Sequence, residues 1–286
     1  MLSSILRRLL LAVCTIVAGG FFSAALVRCA PGFGTDERQL DPRLSNDSIR
    51  AIQGLHAEDR NIVRSYLTSL GRTLRGDLGV SRTLNRPVRQ LLHDRAAVTA
   101  TVAGKGLALA WSAAVGMAFA AWFWHTPALR LSVTLFSGAL LCLPAGVLAL
   151  LAILLDLPAY LVIALIVYPK VHRYLSGLVE AACKMPHIIT ARATGATETR
   201  IFLRHVLPVI RREVLALAGV SIGIALSAAI PVEALCGVAG IGQLAWQSAL
   251  ARDLPLLTNV AMLVIACVVL ANSGADLLSE ERRQPA

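Results

Sequence analysis

The amino-acid sequence predicts an all-α integral membrane protein with about six transmembrane helices. Hydrophobic residues make up 56% of the 286 positions and charged residues only 15%, a composition typical of chains that reside in lipid. Several uncharged runs approach the length of about 20 residues that a helix needs to cross a hydrocarbon core of about 30 Å. Much of the net charge of +10 lies beside these runs, which favours a lipid bilayer over a nucleic acid as the partner.

The uncharged runs place the predicted spans at 9–27, 106–124, 131–155, 214–232 and 254–275. A further span begins at 157 and continues past Lys170, whose long side chain can reach the headgroups. Asp156 and Pro158 separate it from the preceding run, because proline disfavours helix in the residue before it. A cleaved signal peptide is the alternative for the first span. Its uncharged run exceeds the usual length of about 7 to 15 residues, which favours an uncleaved anchor.

Orientation follows from the basic residues of short loops, which remain in the cytoplasm. Such residues precede the first span and lie between the fourth and fifth, and they are Arg7, Arg8, Lys184, Arg192, Arg200, Arg204, Arg211 and Arg212. Both termini are therefore expected in the cytoplasm. The predicted organisation is a cytoplasmic N-terminus with the first helix (1–29), an extracytoplasmic segment (30–95) and a transmembrane core (96–286). The core contains a cytoplasmic loop at 184–212.

That loop is predicted to bend. Helix-forming residues over 187–203 are interrupted at Gly195, where the backbone can turn without a Cβ penalty, so two short helices are expected. Apolar residues at both ends and basic residues between them suit docking into a groove on a partner protein. The alternative is an ordinary basic loop that lies on anionic headgroups.

Three stretches resemble one family. The loop sequence TARATGATETRIFLRHVLP (190–208) is similar to the cytoplasmic EAA loop of ABC importer permeases, in the version found in the dipeptide, oligopeptide and nickel group. GDLGVSRTLNRPV (76–88) and PVEALCGVAGIGQLAWQSALARDLP (231–255) also resemble that group, in the expected order. Two departures stand out: no glutamate leads the EAA signature, and His205 replaces a frequent isoleucine. The region that joins the third and fourth spans is also shorter than usual, which bears on the substrate class.

The resemblance implies a permease subunit that forms half of the pathway of an ATP-driven importer in a bacterial or archaeal cytoplasmic membrane. Its substrate would be peptides, a related small solute or nickel, moved by alternating access. A second homologous permease, two cytoplasmic ATPase subunits and an extracytoplasmic solute-binding protein are the implied partners. ATP and Mg would bind to the ATPase subunits, since no Walker A sequence occurs here, and no cofactor or enzymatic role is expected of this chain. The implied ATPase-coupling residues are Ala191, Arg192, Ala193, Gly195, Arg200, Arg204, His205, Leu207 and Pro208.

Two further sets of residues are predicted around the fifth span. Gly219, Gly223 and Ser227 follow one another at intervals of four, a spacing that lets another helix approach closely, such as one from the partner permease. Pro231 and the glycines after it are expected to open the helix near the outer face. The resemblance to the family implies a short external gate element there. The alternative is a simple loop. The gate candidates are Glu233, Gly240, Gly242 and Asp253.

Two other classes of protein were weighed. An intramembrane enzyme needs a nucleophile and base, or metal ligands, at membrane depth. No HExxH sequence is present and the six cysteines form no CxxC pair, so no metal site is predicted. The GVSIG sequence at 219–223 has the GxSxG form, but it lies inside an uncharged run of span length and not at the strand-to-helix turn that such a nucleophile needs, so no catalytic site is predicted. A membrane scaffold without transport activity is the remaining alternative.

Overall fold

A computed structural model describes residues 2–29, 62–124 and 127–280, and within these residues the chain is helical without any β-strand, as predicted. The only strand-like pairing there is an isolated bridge between Val80 and Pro87. The helices are α1 (Leu2–Cys29), α2 (Ile62–Leu74), α3 (Val88–Trp124), α4 (Pro127–Cys142), α5 (Ala145–Leu154), α6 (Ala159–Cys183), α7 (Pro186–Ala193), α8 (Glu198–Ile201), a π-helical segment (Phe202–Val206), α9 (Leu207–Leu235), α10 (Ile241–Leu250) and α11 (Leu254–Glu280).

Four helical stretches in the described residues are long and apolar enough to cross a membrane, namely Val88–Phe123, Ala159–Cys183, Glu198–Leu235 and Leu254–Ala275. A bent pair, Leu131–Cys142 with Ala145–Leu154, would make a fifth span if its two parts are counted as one. The apolar part of α1, Leu10–Leu26, is shorter. The number of six spans therefore stays a prediction.

The third predicted span, 131–155, is not one helix. It breaks after Cys142, and the two parts meet at an angle of 99°. Pro144 is the physical reason: it sits at φ −60° and ψ 143°, an extended conformation, and it disfavours helix in Leu143 before it. The predicted turn at Asp156 is present as well, with a φ of +51°.

The described residues fall into two compact units. The first comprises residues 1–96 and 244–266. Within it, α2 packs on α1, where the Tyr66 hydroxyl donates a hydrogen bond to the Val17 carbonyl at 2.6 Å. Buried side chains include Val88, Leu256 and Val260. The described part of the polar segment predicted at 30–95 thus belongs to a core that includes the start of α11, and residues 30–61 lie outside the described residues.

The second unit comprises residues 97–243 and 267–286. Its core forms where α6 packs against α9 and α4, with Ile163, Val167 and Val171 fully buried. Gly106 allows α3 to approach α6 closely, since a Cβ there would lie 2.7 Å from the Tyr160 carbonyl oxygen. This packing supports the segment at 186–206 that the sequence marks as a docking element.

Candidate functional site

The predicted bend is present. Helix α7 begins with Pro186 in its first turn and ends at Ala193. Gly195 follows with a φ of +80°, a left-handed backbone conformation that residues other than glycine rarely adopt. The Ala196 N–H donates to the Ala191 carbonyl at 3.3 Å and closes the turn.

An ion pair connects the two sides of the bend. Arg192 Nε and Nη2 donate to the two carboxylate oxygens of Glu198 at 2.9 and 3.0 Å, a bidentate geometry that fixes direction as well as distance. The hydrogen bond that Arg192 donates to the Glu198 carboxylate raises the pKa of Arg192. The guanidinium also lies 5.7 Å from the centroid of the Trp122 ring at the end of α3. Arg192, expected from the sequence as a contact for the ATPase, is therefore engaged within its own chain.

The second helix was predicted to be short, and this prediction is wrong: the helix is much longer in the structure. Residues 198–235 form one continuous helical stretch, so the helix that begins after the bend does not end at Pro208. The cytoplasmic position of 184–212 stays a prediction. Pro208 lacks an N–H, and its ring would clash with the carbonyl of Arg204 in a regular α-helix. The wider π turn at Phe202–Val206 accommodates the proline without ending the helix.

The segment has a buried side and an exposed side. Ile188, Ile201 and Val206 are fully buried beneath it. The exposed side combines apolar and basic residues: Ile189, Leu203, Leu207, Arg200 and Arg204 are exposed, as are Ala193 and Pro208, while Ala191 and His205 are half-buried. A surface of this composition suits contact with another protein better than contact with lipid tails or water alone.

The small-residue stripe lies against α11 of the same chain. A Cβ on Gly219 would lie 2.9 Å from the Ala271 carbonyl oxygen, and one on Gly223 would lie 3.2 Å from Val268 Cγ1. Ser227 is exposed on α9. The close approach that the spacing predicts thus involves an intrachain helix at its first two positions, and Ser227 alone of the three remains exposed.

Glu233, expected near the outer surface, is fully buried. It lies within α9 because Pro231 does not end the helix, which continues to Leu235. Its carboxylate accepts a hydrogen bond from the Gly242 N–H at 2.7 Å, in the first turn of α10. The absence of a side chain at Gly240 provides the space, since a Cβ there would overlap the Glu233 carboxylate.

The same helix end has a second acceptor that the sequence analysis missed. The Ile241 N–H donates to Thr99 Oγ1 at 2.7 Å. A carboxylate and a hydroxyl therefore satisfy two of the backbone donors that a helix N-terminus leaves unpaired. Glu233, Gly240 and Gly242 come together here, and their geometry is that of a helix anchor.

Asp253 anchors a different helix. It is 1% exposed and precedes α11, where its Oδ1 accepts from the Leu256 N–H at 3.2 Å in an N-cap arrangement. Its Oδ2 accepts from Ser81 Oγ at 2.6 Å and from the Thr83 N–H at 3.0 Å. Two of the stretches singled out in the sequence, 76–88 and 231–255, are therefore joined through one carboxylate.

Ser81 was not predicted as a functional residue. It is fully buried, and its hydroxyl also accepts from the Leu84 N–H at 3.0 Å. The turn around it is held by the Ser81 N–H bond to the Arg86 carbonyl and by Asn85, whose φ is +48°. An Asn-x-Pro sequence after a serine is a signal for such a turn, but nothing local indicates the partner near the end of the chain.

Several helices that are long and apolar enough to cross a membrane, with a bent, partly apolar and basic segment between two of them, define a multi-pass membrane protein. The sequence profile of the family described as "Binding-protein-dependent transport system inner membrane component" matches residues 110–280. The chain belongs to this family, whose members are permease subunits of ABC importers and are not themselves catalytic. These importers work with ATPases and solute-binding proteins.

Similar proteins cover nearly the whole chain. A protein of Brucella suis described as a peptide permease is 26% identical, over 97% of this chain and 96% of its own length. The di/tripeptide transport system permease protein DppB of Pseudomonas aeruginosa is 25% identical over the same shares. The oligopeptide transport system permease protein OppB of Escherichia coli is 27% identical over 97% of each chain.

Proposed function

We propose that this chain is one of two permease subunits that form the pathway of an ATP-driven peptide importer. It takes solute from an extracytoplasmic binding protein, and the segment 186–206 couples it to cytoplasmic ATPase subunits. Peptides are the proposed substrate class because the peptide permeases described above match the chain from end to end. Both termini lie in the cytoplasm in this proposal.

One observation carries the coupling role. The bend at Gly195 is fixed by the Arg192–Glu198 pair, and the helix that follows continues without a break to Leu235. A force on the bend is therefore transmitted to a membrane-crossing helix and not absorbed by a loose loop. Alternating access requires such a rigid connection between the ATPase and the pathway.

The exposed side of the segment provides the contact. Arg200 and Arg204 are exposed and suit acidic or carbonyl groups of an ATPase subunit. Ile189 and Leu203 are more than half exposed and suit an apolar cleft. His205 lies near the end of the segment, Leu207 and Pro208 lie in the first turn of α9, and all three belong to the proposed contact.

The experiment is isolation of the tagged chain in mild detergent after expression with its native neighbours. The retained proteins are identified, and solute-stimulated ATP hydrolysis and peptide uptake into proteoliposomes are measured. The expected result is a complex with a second permease and two ATPase subunits, active in both assays. Isolation of the chain alone, stable and at full yield, would instead favour a membrane scaffold whose basic segment lies on headgroups.

Replacement of Gly195 by valine tests the coupling segment directly. A β-branched residue at a φ of +80° costs roughly 1–2 kcal/mol and should displace the bend, so uptake and solute-stimulated ATP hydrolysis are expected to fall at least about tenfold. Gly116→Ala is the matched control, because Gly116 also has open space around it but lies in a regular helix. Normal uptake by Gly195→Val would contradict the coupling role.

A further inference from the structure

A large cavity lies within the second unit, next to the bend. Its volume is about 790 Å³, and it is lined by α3, α4, α6 and the end of α7. Cavities of roughly 300–1,000 Å³ typically hold small molecules. The residues that matter for its chemistry are Trp122, Ser137, His172, Arg173, Ser176 and Arg192.

Three buried polar atoms on three different helices converge on this cavity. Trp122 Nε1, Ser137 Oγ and His172 Nδ1 make no hydrogen bond of good geometry among the described residues. Ser137 also contacts Tyr168, and His172 contacts the Ala114 backbone, but neither contact has the geometry that would satisfy these atoms. Their side chains are only 5%, 5% and 6% exposed. The other ring nitrogen of His172 lies 3.4 Å from Ser176 Oγ. A buried polar group without a well-formed hydrogen bond is unfavourable, so three together indicate an occupant that satisfies them.

The chemistry of these three atoms limits which chemical groups can occupy the cavity. The indole N–H only donates, and the hydroxyl and the imidazole are able to donate as well, so the occupant must offer hydrogen-bond acceptors. At the rim, Lys184 is paired with Glu180 at 3.0 Å and Arg192 with Glu198. Arg173 makes no ion pair within the described part of the chain. One uncompensated positive charge beside three potential donors fits an anionic group with several oxygens.

We propose that this cavity binds a carboxylate or phosphate group, with Trp122, Ser137 and His172 as hydrogen-bonding residues and Arg173 as its counter-charge. The group has two possible sources: the C-terminal carboxylate of a transported peptide, in which case the inference rests on the proposed function, or the headgroup of an anionic lipid. Trp122 also supports Arg192 at the bend. An occupant held by the Trp122 N–H would therefore bear on the coupling segment.

The first test measures equilibrium binding of labelled trialanine to the assembled complex in nanodiscs of phosphatidylcholine, without ATP and without binding protein. Saturable binding is expected, and trialanine amide, which lacks the carboxylate, should compete at least about tenfold more weakly. Ser137→Ala should weaken binding by a similar factor. The control Ser112→Ala removes an exposed hydroxyl that bonds only within its own helix and should leave the affinity unchanged. The comparison of the two peptides uses the unmodified chain and does not depend on the folding of a variant.

The second test addresses the lipid source. Nanodiscs that contain phosphatidylglycerol are used, and lipid retained by the complex is measured by native mass spectrometry. Retention that Ser137→Ala abolishes and Ser112→Ala preserves would support a phosphate in the cavity. If neither peptide nor lipid binds in a manner sensitive to Ser137, the cavity holds water only and the inference is overturned. Peptide uptake by the same complex separates this outcome from a failure of the proposed function, because a complex that transports without such binding refutes the inference alone.

Discussion

At the scale of single residues, acidic side chains in this protein serve as helix anchors. Asp253 and Glu233 are both buried, and each accepts a backbone N–H from the first turn of a following helix. A negative charge at a helix N-terminus is favourable because it pairs with the orphan donors and the positive end of the helix dipole. Both residues were predicted as gate candidates from family likeness, which stays a prediction, and their geometry shows that each anchors a helix.

Removal of the Asp253 carboxylate should destabilise the first unit. Asp253→Ala loses the N-cap of α11 and leaves Ser81 Oγ and the Thr83 N–H without their acceptor, which together cost about 2–4 kcal/mol. Unfolding in detergent, followed by circular dichroism, measures the change. Asp94→Asn is the control: its ion pair with Arg86 is exposed and is worth no more than about 1 kcal/mol. Equal effects of the two variants would contradict the anchoring role.

Alanine substitutions at Gly242 and at Gly116 are expected to change the thermal stability in opposite directions. A Cβ at Gly242 would lie 2.5 Å from Ile230 Cα and 2.9 Å from the Ala229 carbonyl oxygen, so Gly242→Ala forces the backbone of α9 to move and should cost about 1–3 kcal/mol. At Gly116 nothing lies within 4 Å, and alanine should stabilise the helix by up to about 1 kcal/mol. Thermal unfolding of both variants in the same detergent is the measurement. A stable Gly242→Ala protein would mean that α10 is not packed as described.

At the scale of elements, the bend and the π segment set the direction of the proposed coupling surface. Glu198→Gln keeps the shape of the side chain but removes the charge that holds Arg192. Because both side chains are partly exposed, global stability should change by less than about 1 kcal/mol. The bend should nevertheless be less fixed, so the ratio of solute-stimulated to basal ATP hydrolysis is expected to fall. Asp94→Asn, which breaks an ion pair elsewhere, should leave that ratio unchanged, and an unchanged ratio in Glu198→Gln would argue against the pair's role.

Replacement of Pro208, which follows the π segment, is expected to lower solute-stimulated ATP hydrolysis without lowering thermal stability. Pro208→Ala restores an N–H and removes the clash with the Arg204 carbonyl, so Phe202–Val206 can return to α-helical pitch. Such a change rotates α8 relative to α9, by about 100° for one residue of register. Thermal stability should hold or rise, while solute-stimulated ATP hydrolysis falls. Pro231→Ala, the same change near the other end of α9, should spare the coupling; if both variants behave alike, the π segment has no special role.

At the scale of the whole molecule, the apolar runs predicted which parts of the chain form helices suited to cross lipid. They did not predict where those helices begin and end. The run at 214–232 lies inside a helical stretch from Glu198 to Leu235, because Arg211, Arg212 and Glu213 continue the helix beyond the hydrocarbon. The break at Pro144 was missed, since an uncharged run of suitable length gives no sign of a turn except the proline itself. The turn at Asp156 was predicted because a charge accompanies its proline.

The candidate site was predicted in part. The bend at Gly195 was predictable, since a glycine interrupts strong helix formers. Tertiary partners were not: the Ser81–Asp253 bond joins residues 172 positions apart, and no local pattern encodes such a distance. Charge alone placed Glu233 at a surface, but its burial depends on a backbone N–H and on the absence of side chains at two glycines. Sequence resemblance supplied the family, and the structure shows which of the marked residues serve packing.

The continuous helical stretch of 38 residues from Glu198 to Leu235 is about 57 Å long at 1.5 Å per residue, nearly twice the thickness of a hydrocarbon core of about 30 Å. It is a lever. A tilt of about 5° around its Glu198 end moves the Leu235 end by about 5 Å. A small rotation at the bend is thus amplified, without further moving parts, into a much larger displacement at the far end of the helix.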